Sequence, residues 1–341
     1  MSRFIFFCII ATLVFLPGAF ETHAQKVIKS KSSDASVKQS TFMEQATSLE
    51  TPSGVLHGTL LLPESKSPRP IVLIIAGSGP TNRDGNIAGA SGSNNSLKML
   101  AEGLAAHGIA SLRYDKRGIG ESAKPGTKEA DVRFNNFIDD AVLWSKQLRD
   151  DKRFSSLTIV GHSEGSLLGM VAAQGKNADG FVSIAGAGRP ANQILLEQVR
   201  PKLPPDLMKS TEEIMALLVA GKTPESVPPV LNALFRPSVQ PYLISWFRYD
   251  PTREIAKLSI PVLIIQGTTD IQVNVQEAKL LAKAKPSAQL LIVEGMNHVL
   301  KEVPNETDKQ VKSYSDPTLP IVPQIVTEIS RFVKKVKRQK P

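Results

Sequence analysis

Cysteine is nearly missing from this chain, which holds one in 341 residues, Cys8. That residue falls in a stretch that reads as a cleaved leader, so the mature chain is expected to carry no thiol. A disulfide framework and a cysteine-ligated metal are thereby excluded, and oxidising surroundings pose no threat through a thiol. Long apolar runs are lacking too. The one at the start, Phe4 to Leu16, is short for a bilayer span of about 20 residues. It follows Met1-Ser2-Arg3 and precedes Thr22-His23-Ala24, with small residues at −3 and −1. The pattern predicts a secretory signal over 1–24, a secreted or periplasmic protein, and no stable membrane insertion after cleavage. The competing reading is an uncleaved N-terminal anchor. Histidine is scarce, with 57, 107, 162 and 298 left after the leader. No 20-to-50-residue repeat is visible, and no basic groove interleaved with aromatics.

The last absence matters because the net charge is +9, and losing Arg3 and Glu21 together leaves it at +9. A basic balance invites a nucleic-acid partner. Here the lysines gather at the ends, in Lys26 to Lys38 and Lys334 to Lys340, outside the expected core. They read as solvated tails able to touch anionic envelope surfaces, and no nucleic acid is expected as a partner.

What remains is enough for one large α/β domain with an insertion. Residues 25–41 are Ser/Lys-rich and read as a flexible lead-in. Phe42 to Glu50 and Val55 to Leu62 form an expected hairpin around Thr51-Pro52-Ser53-Gly54. Strands and helices then alternate. Strands are predicted at Ile71 to Ile75, Ile109 to Tyr114, Leu157 to Val160, Phe181 to Ile184, Pro261 to Gln266 and Gln289 to Val293. Helices are predicted at Ser96 to Ala106, Asn135 to Leu148, Ser166 to Gln174, Val275 to Ala284 and Pro323 to Val336. Apolar runs spaced by helical stretches imply a parallel sheet covered on both faces. The rhythm breaks between about Gly188 and Lys257, where helix-like pieces alternate with prolines such as Pro204-Pro205 and Pro228-Pro229. The core is therefore expected at 42–187 and 259–337, with a helical cap at 188–258 over the C-terminal edge of the strands, where such sheets bind ligands. A peripheral helical decoration is the alternative.

The chemistry starts at Gly161-His162-Ser163-Glu164-Gly165, between an apolar β-branched run and a helical stretch. The bare G-x-S-x-G pattern arises by chance in roughly one chain in ten of this length. Its placement at a strand-to-helix turn is what makes it a nucleophile elbow. The turn forces the serine into a strained conformation, and glycine at 161 and 165 removes β-carbons that would collide with the neighbouring chain. A serine hydroxyl also needs a base, and an acid to orient that base. His298 follows the last strand in Glu294-Gly295-Met296-Asn297-His298, on the sheet edge that carries the elbow. Asp270 follows Pro261 to Gln266 through Gly267-Thr268-Thr269 and is the acid that falls between serine and histidine on the adjoining strand. His57, His107 and His162 read as structural, and Asp84, Asp115 and Asp250 as weaker candidates for the acid. An oxyanion formed at the serine would meet the backbone N–H of Glu164 and that of Ser78, in Ala76-Gly77-Ser78-Gly79-Pro80, with Gly79 as the runner-up.

The order Ser163, Asp270, His298 is that of the α/β-hydrolases. The chain resembles that superfamily over about residues 42 to 337, and within it the secreted or periplasmic bacterial carboxylesterases related to serine aminopeptidases and dienelactone-hydrolase-like enzymes. The likeness rests on five segments in order: Gly77 to Asn86 (GSGPTNRDGN), Arg113 to Ser122 (RYDKRGIGES), the elbow, Gly267 to Asp270 and Gly295 to His298. The resemblance implies a mostly parallel eight-stranded sheet with helices on both faces. It also implies hydrolysis of a small-molecule, short-acyl carboxylic ester with no metal and no cofactor. Asp115 and Arg117 would be structural supports, and Arg83 and Asp84 either substrate contacts or a loop-internal pair. Aminopeptidase relatives need a carboxylate for a free α-amine, and Glu197, Glu212, Glu213 and Glu225 match no motif for one. A peptidase or amidase, a thioesterase, and a non-catalytic binding protein on the same scaffold stay as alternatives. Cap residues Leu217, Leu218, Leu234, Phe235, Trp246 and Phe247 suit an apolar pocket or simple packing, and the oligomeric state stays open.

Overall fold

Ile71 to Ile75 form the buried part of a central strand, and their side chains divide between two apolar clusters. Ile71, Leu73 and Ile75 enter one, Val72 and Ile74 the other. A strand buried on both faces reads as a continuous apolar run because neither side meets water. The computed structural model describes residues 42–123 and 128–339, so the expected leader at 1–24 and lead-in at 25–41 lie outside the described residues.

One sheet of eight strands forms the frame: β1 (Phe42–Thr51), β2 (Gly54–Pro63), β3 (Arg69–Ile75), β4 (Ala110–Tyr114), β5 (Phe154–His162), β6 (Gly180–Ile184), β7 (Val262–Gly267) and β8 (Gln289–Val293). Their spatial order is β1-β2-β4-β3-β5-β6-β7-β8. β1 and β2 make the antiparallel hairpin, β2 runs antiparallel to β4, and the other neighbours are parallel. Every parallel strand therefore ends on the same edge. That edge carries the loops after β3, β5, β7 and β8, which hold the candidate site.

The helices are α1 (Ser96–Ala106), α2 (Phe134–Asp150), α3 (Glu164–Ala172), α4 (Ala191–Val199), α5 (Pro205–Val219), α6 (Asn232–Phe235), α7 (Gln240–Trp246), α8 (Pro251–Ala256), α9 (Val275–Ala284), α10 (Thr307–Ser313) and α11 (Pro323–Lys335). α1 and α11 cover one face of the sheet; α2, α3 and α9 cover the other. α11 shows why its sequence chooses a helix. Ile325, Ile329, Phe332 and Val333 recur at helical spacing and are buried, while Glu328, Arg331 and Lys335 lie outside that stripe.

Four elements differ from the sequence expectation. α3 starts at Glu164, directly after the serine, because the turn at Ser163 is so tight that no linker residue intervenes. α5 starts at Pro205, within the proline pair expected to separate helical pieces, since proline in a first helical turn loses no needed hydrogen bond. α8 and α10 were not legible. α8 is six residues long and is started by the Asp250 carboxylate, which accepts the N–H of Thr252 at 2.9 Å. α10 reads TDKQVKS, with no apolar period, and buries Gln310 and Ser313.

Residues 188–258 hold α4 to α8. Leu195, Val199, Met215, Leu218 and Phe235 join the same apolar cluster as α2 and α3, so this segment and the sheet share one core. Its entry is pinned by Glu277 on α9. That buried carboxylate accepts the N–H groups of Gly188 and Arg189 at 2.9 and 3.0 Å and pairs with the Arg189 guanidinium.

Candidate active site

The geometry of the site begins with backbone strain at one residue. Ser163 has φ 55° and ψ −122°, a conformation that L-residues hold only when their surroundings impose it. Its N–H donates to the Ile184 carbonyl at 2.9 Å, locking the turn against β6. The two flanking glycines are steric requirements. A β-carbon at Gly161 would lie 2.2 Å from the Gly165 carbonyl oxygen, and one at Gly165 would lie 2.3 Å from that of Ile75. The serine therefore stands at the N-terminal end of α3, where the first N–H groups have no intrahelical acceptor.

Two loops beyond β7 and β8 are stapled together, and the staples bring Asp270 to His298. Thr268 N–H donates to the Val293 carbonyl, Gly295 N–H to Thr268 Oγ1, and Thr269 Oγ1 to the Gly295 carbonyl. His298 Nδ1 then lies 2.8 Å from Asp270 Oδ2, with both side chains buried. The other oxygen, Asp270 Oδ1, accepts the N–H groups of Gln272 and Val273 at 2.8 and 2.9 Å. Burial works to raise the pKa of this carboxyl. The neighbouring His298 and the two N–H donors outweigh it, and the net shift is downward, so Asp270 stays ionised.

Gln266 was not legible as part of this cluster. Its Nε2 donates to Asp270 Oδ2 at 3.1 Å and to the Val273 carbonyl at 2.7 Å, holding the carboxylate from behind. Asn297 is likewise held, by Ser313 on α10 at 2.7 Å, which fixes the base of the His298 loop.

His162 does more than pack beside the elbow. Its Nε2 donates to the backbone carbonyl of His298 at 2.8 Å, and the two rings lie 4.9 Å apart. Burial, then the adjacent His298, push its pKa down to about 3, so it is a neutral donor that ties the histidine loop to the elbow. His298 thus sits directly behind the serine turn. Among the described residues no hydrogen bond joins its Nε2 to Ser163 Oγ. Such contacts commonly tighten only when substrate is bound.

Gly77 also lies against the serine, where a β-carbon would stand 3.1 Å from that of Ser163. The loop carrying Ser78 is therefore against Ser163, as is Glu164, the first residue of α3. A buried group that sequence reasoning missed connects them. Lys116 Nζ donates to the Gly77 carbonyl at 2.6 Å and to Glu164 Oε1 at 3.0 Å, and it lies over the Phe137 ring. Tyr242 Oη, from α7, donates to Glu164 Oε2 at 2.7 Å. Burial and then the Glu164 charge raise the phenol's pKa well above its usual value, so it remains a donor.

The other charged residues singled out in the sequence lie in supporting pairs. Asp115 accepts the N–H of Arg83 and of Glu121 and pairs with the Arg83 guanidinium at 2.8 Å. Asp84 pairs with buried Arg113 at 2.5 Å, Arg117 pairs with Asp140, and Asp250 starts α8. Arg83 and Asp84 are thus engaged with partners inside the fold. A cavity of about 40 Å³ opens beside Ser163 and Glu164, lined by Leu167, Ala191, Ile194, Leu195 and Trp246 among others. Of the cap residues considered for an apolar pocket, Trp246 lines it. Leu218, Leu234, Phe235 and Phe247 are buried in the shared core, and Leu217 is exposed. Among the described residues no cluster of three or more His, Cys, Asp or Glu is placed to hold a metal ion, and no helix is long and apolar enough to cross a membrane.

Comparison with known proteins agrees with this geometry. Residues 87–233 match the serine aminopeptidase family, S33. Esterase EstD of Thermotoga maritima is 30% identical over 288 residues, which is 82% of this chain and 66% of EstD, so just under two thirds of the relative's length is spanned. Among solved structures, Est1E from Butyrivibrio proteoclasticus with ferulic acid bound has a TM-score of 0.57 at 16% identity, covering 85% of this chain and 98% of that one. An esterase of Pyrococcus furiosus has a TM-score of 0.54 at 15% identity, covering 87% of this chain and 92% of that one. By its sheet order, its strained serine turn and its likeness to these proteins, the chain has the α/β-hydrolase fold.

Proposed function

We propose that this protein is a serine hydrolase of short-acyl carboxylic esters, with Ser163 as nucleophile, His298 as base and Asp270 as the acid that orients it. The observation that carries the reading is the buried His298–Asp270 pair at 2.8 Å, beside a serine strained at φ 55° on the start of α3. Ser163 Oγ attacks the ester carbonyl carbon and passes its proton to His298 Nε2. The carbonyl electron pair moves to the oxygen, and the backbone N–H groups of Ser78 and Glu164 receive that oxyanion. Collapse expels the alcohol, which takes the proton from His298, and leaves an acyl group on Ser163. Water then repeats the sequence, giving its proton to His298 and releasing the acid. No metal or cofactor enters any step.

The size of the cavity beside the serine supports a short-acyl preference. About 40 Å³ beside the nucleophile holds roughly three water-sized groups, the bulk of an acetyl or propionyl chain. A p-nitrophenyl ester series from acetate to palmitate, run with wild type and Ser163→Ala, tests the reading. Turnover greatest for the short esters and lost in the variant is the expected result. A folded wild type that hydrolyses no ester and takes up no fluorophosphonate overturns it.

The S33 match favours one second reading, an aminopeptidase. That activity needs a carboxylate free to bind an α-amine. Glu164 is the acidic residue lining the cavity, and its two oxygens are engaged by Lys116 and Tyr242. Esterase activity without aminoacyl-anilide turnover is therefore expected.

A further inference from the structure

We propose that Lys116 is a positioning residue of the oxyanion site, acting through the Gly77–Ser78 peptide bond. The inference rests on the serine-hydrolase reading and concerns the same site. Lys116 Nζ donates to the carbonyl of Gly77 at 2.6 Å, and that carbonyl belongs to the peptide unit whose N–H is that of Ser78. The described backbone contains no cis peptide bonds, so C=O and N–H in this unit point in opposite directions. A cation fixed on the carbonyl side holds the N–H turned away from it. It also polarises the amide, because hydrogen bonds in series strengthen one another where water is excluded. The peptide unit is adjacent to the nucleophile, with the Gly77 β-carbon position 3.1 Å from Ser163 Cβ.

The counter-ion makes the arrangement specific. Glu164, whose backbone N–H is the second proposed donor, supplies the carboxylate that balances Lys116, and both side chains are 3% exposed or less. One ion pair therefore ties the two donor peptides together. Tyr242 on α7 closes the chain by donating to the other Glu164 oxygen, so the cap segment helps hold the pair in place. A buried ion pair needs partners for its remaining protons, and the partner chosen is what matters here. This one spends a further Lys116 proton on a backbone carbonyl beside the nucleophile.

The test compares Lys116→Met with the double variant Lys116→Met/Glu164→Gln. The single variant strands a buried carboxylate and can fail to fold, whereas removing both charges together is near neutral for stability. With the double variant folded, kcat for p-nitrophenyl acetate is expected to fall about 10- to 100-fold, since weakening one oxyanion donor costs that order of rate. KM should stay within about threefold, the mark of an interaction made only in the transition state. Affinity for a short alkyl trifluoromethyl ketone, which adds to the serine as an oxyanion, should fall by the factor seen in kcat. A double variant with kcat restored to near the wild-type value would show that the pair serves folding alone, and overturns the inference while leaving the esterase reading intact. A wild type inert to esters and to fluorophosphonate overturns that reading and this inference with it.

Discussion

The two sides of Ser163 are built on different principles. On one side, Asp270 and His298 come from loops after adjacent strands, and short-range hydrogen bonds between those loops set their spacing. On the other, Gly77, Lys116, Glu164 and Tyr242 come from four separate parts of the chain and meet in a buried ion pair. The Asp270–His298 side is a consequence of sheet order. The Gly77–Lys116–Glu164 side is a consequence of packing, because a charge pair can be buried only where every proton and lone pair finds a partner. Neighbouring strands are enough to produce the first; the second also needs the cap segment in place.

Perturbing each side in turn sharpens the contrast. Asp270→Asn should have the largest effect, a fall in kcat of about 10,000-fold with the fold intact, because the neutral amide favours the wrong imidazole tautomer. Steady-state kinetics beside a thermal melt checks this, and an unchanged kcat would remove Asp270 from the acid role. Leu195→Ala, in the cavity wall, should raise the kcat/KM ratio of hexanoate to acetate esters about tenfold, the scale of one or two methylenes in an apolar pocket. An unchanged ratio would place the acyl chain elsewhere. Tyr242→Phe deletes one hydrogen bond to a charged group, about 2 kcal/mol, and should lower the melting midpoint by roughly 3 °C. Its kcat loss should be smaller than that of the Lys116/Glu164 double variant, since the ammonium stays in place.

A separate effect is expected in the pH dependence of stability at His162. Its folded pKa, about 3, lies below the ordinary value of 6.5, so the unfolded chain binds the proton more readily between those limits. Stability must then fall as pH drops from 6.5 toward 3. Asp270, with its pKa held low, contributes stability above its unfolded value, near 4, and loses it as pH falls through the folded value. Across pH 4.5 to 6.5 the loss on acidification reports His162, with the raised carboxyl of buried Asp140 acting in the opposite sense. His162→Gln should flatten the melting midpoint across that window, and an unaltered slope would assign the acid sensitivity to another group.

Much of the frame was legible in advance. Apolar runs such as Ile71 to Ile75 must be buried strands, and α9 and β8 begin and end where composition places them. The strand-end positions of Ser163, Asp270 and His298 follow from that alternation. Gln266 was hidden because a glutamine ending a strand carries no signal of where its amide points. Lys116 was hidden inside a charged triplet, Asp115-Lys116-Arg117, whose other members form unrelated pairs. His162 seemed structural, yet its hydrogen bond spans 136 residues to the loop that carries His298. α10 lacked any apolar period because it holds Asn297 through polar side chains.

The sequence alone determined the order of strands and helices, the glycines that permit the serine turn, and the edge on which the site lies. Each depends on local backbone sterics or on the burial of contiguous apolar residues. The tertiary structure decided which polar side chains became partners across the fold: Lys116 with Glu164 and Gly77, Tyr242 with Glu164, and Gln266 with Asp270. Those pairings depend on distances between elements far apart in the chain. A buried polar group bonds to whatever close packing brings within about 3 Å, and spacing along the sequence does not encode that distance.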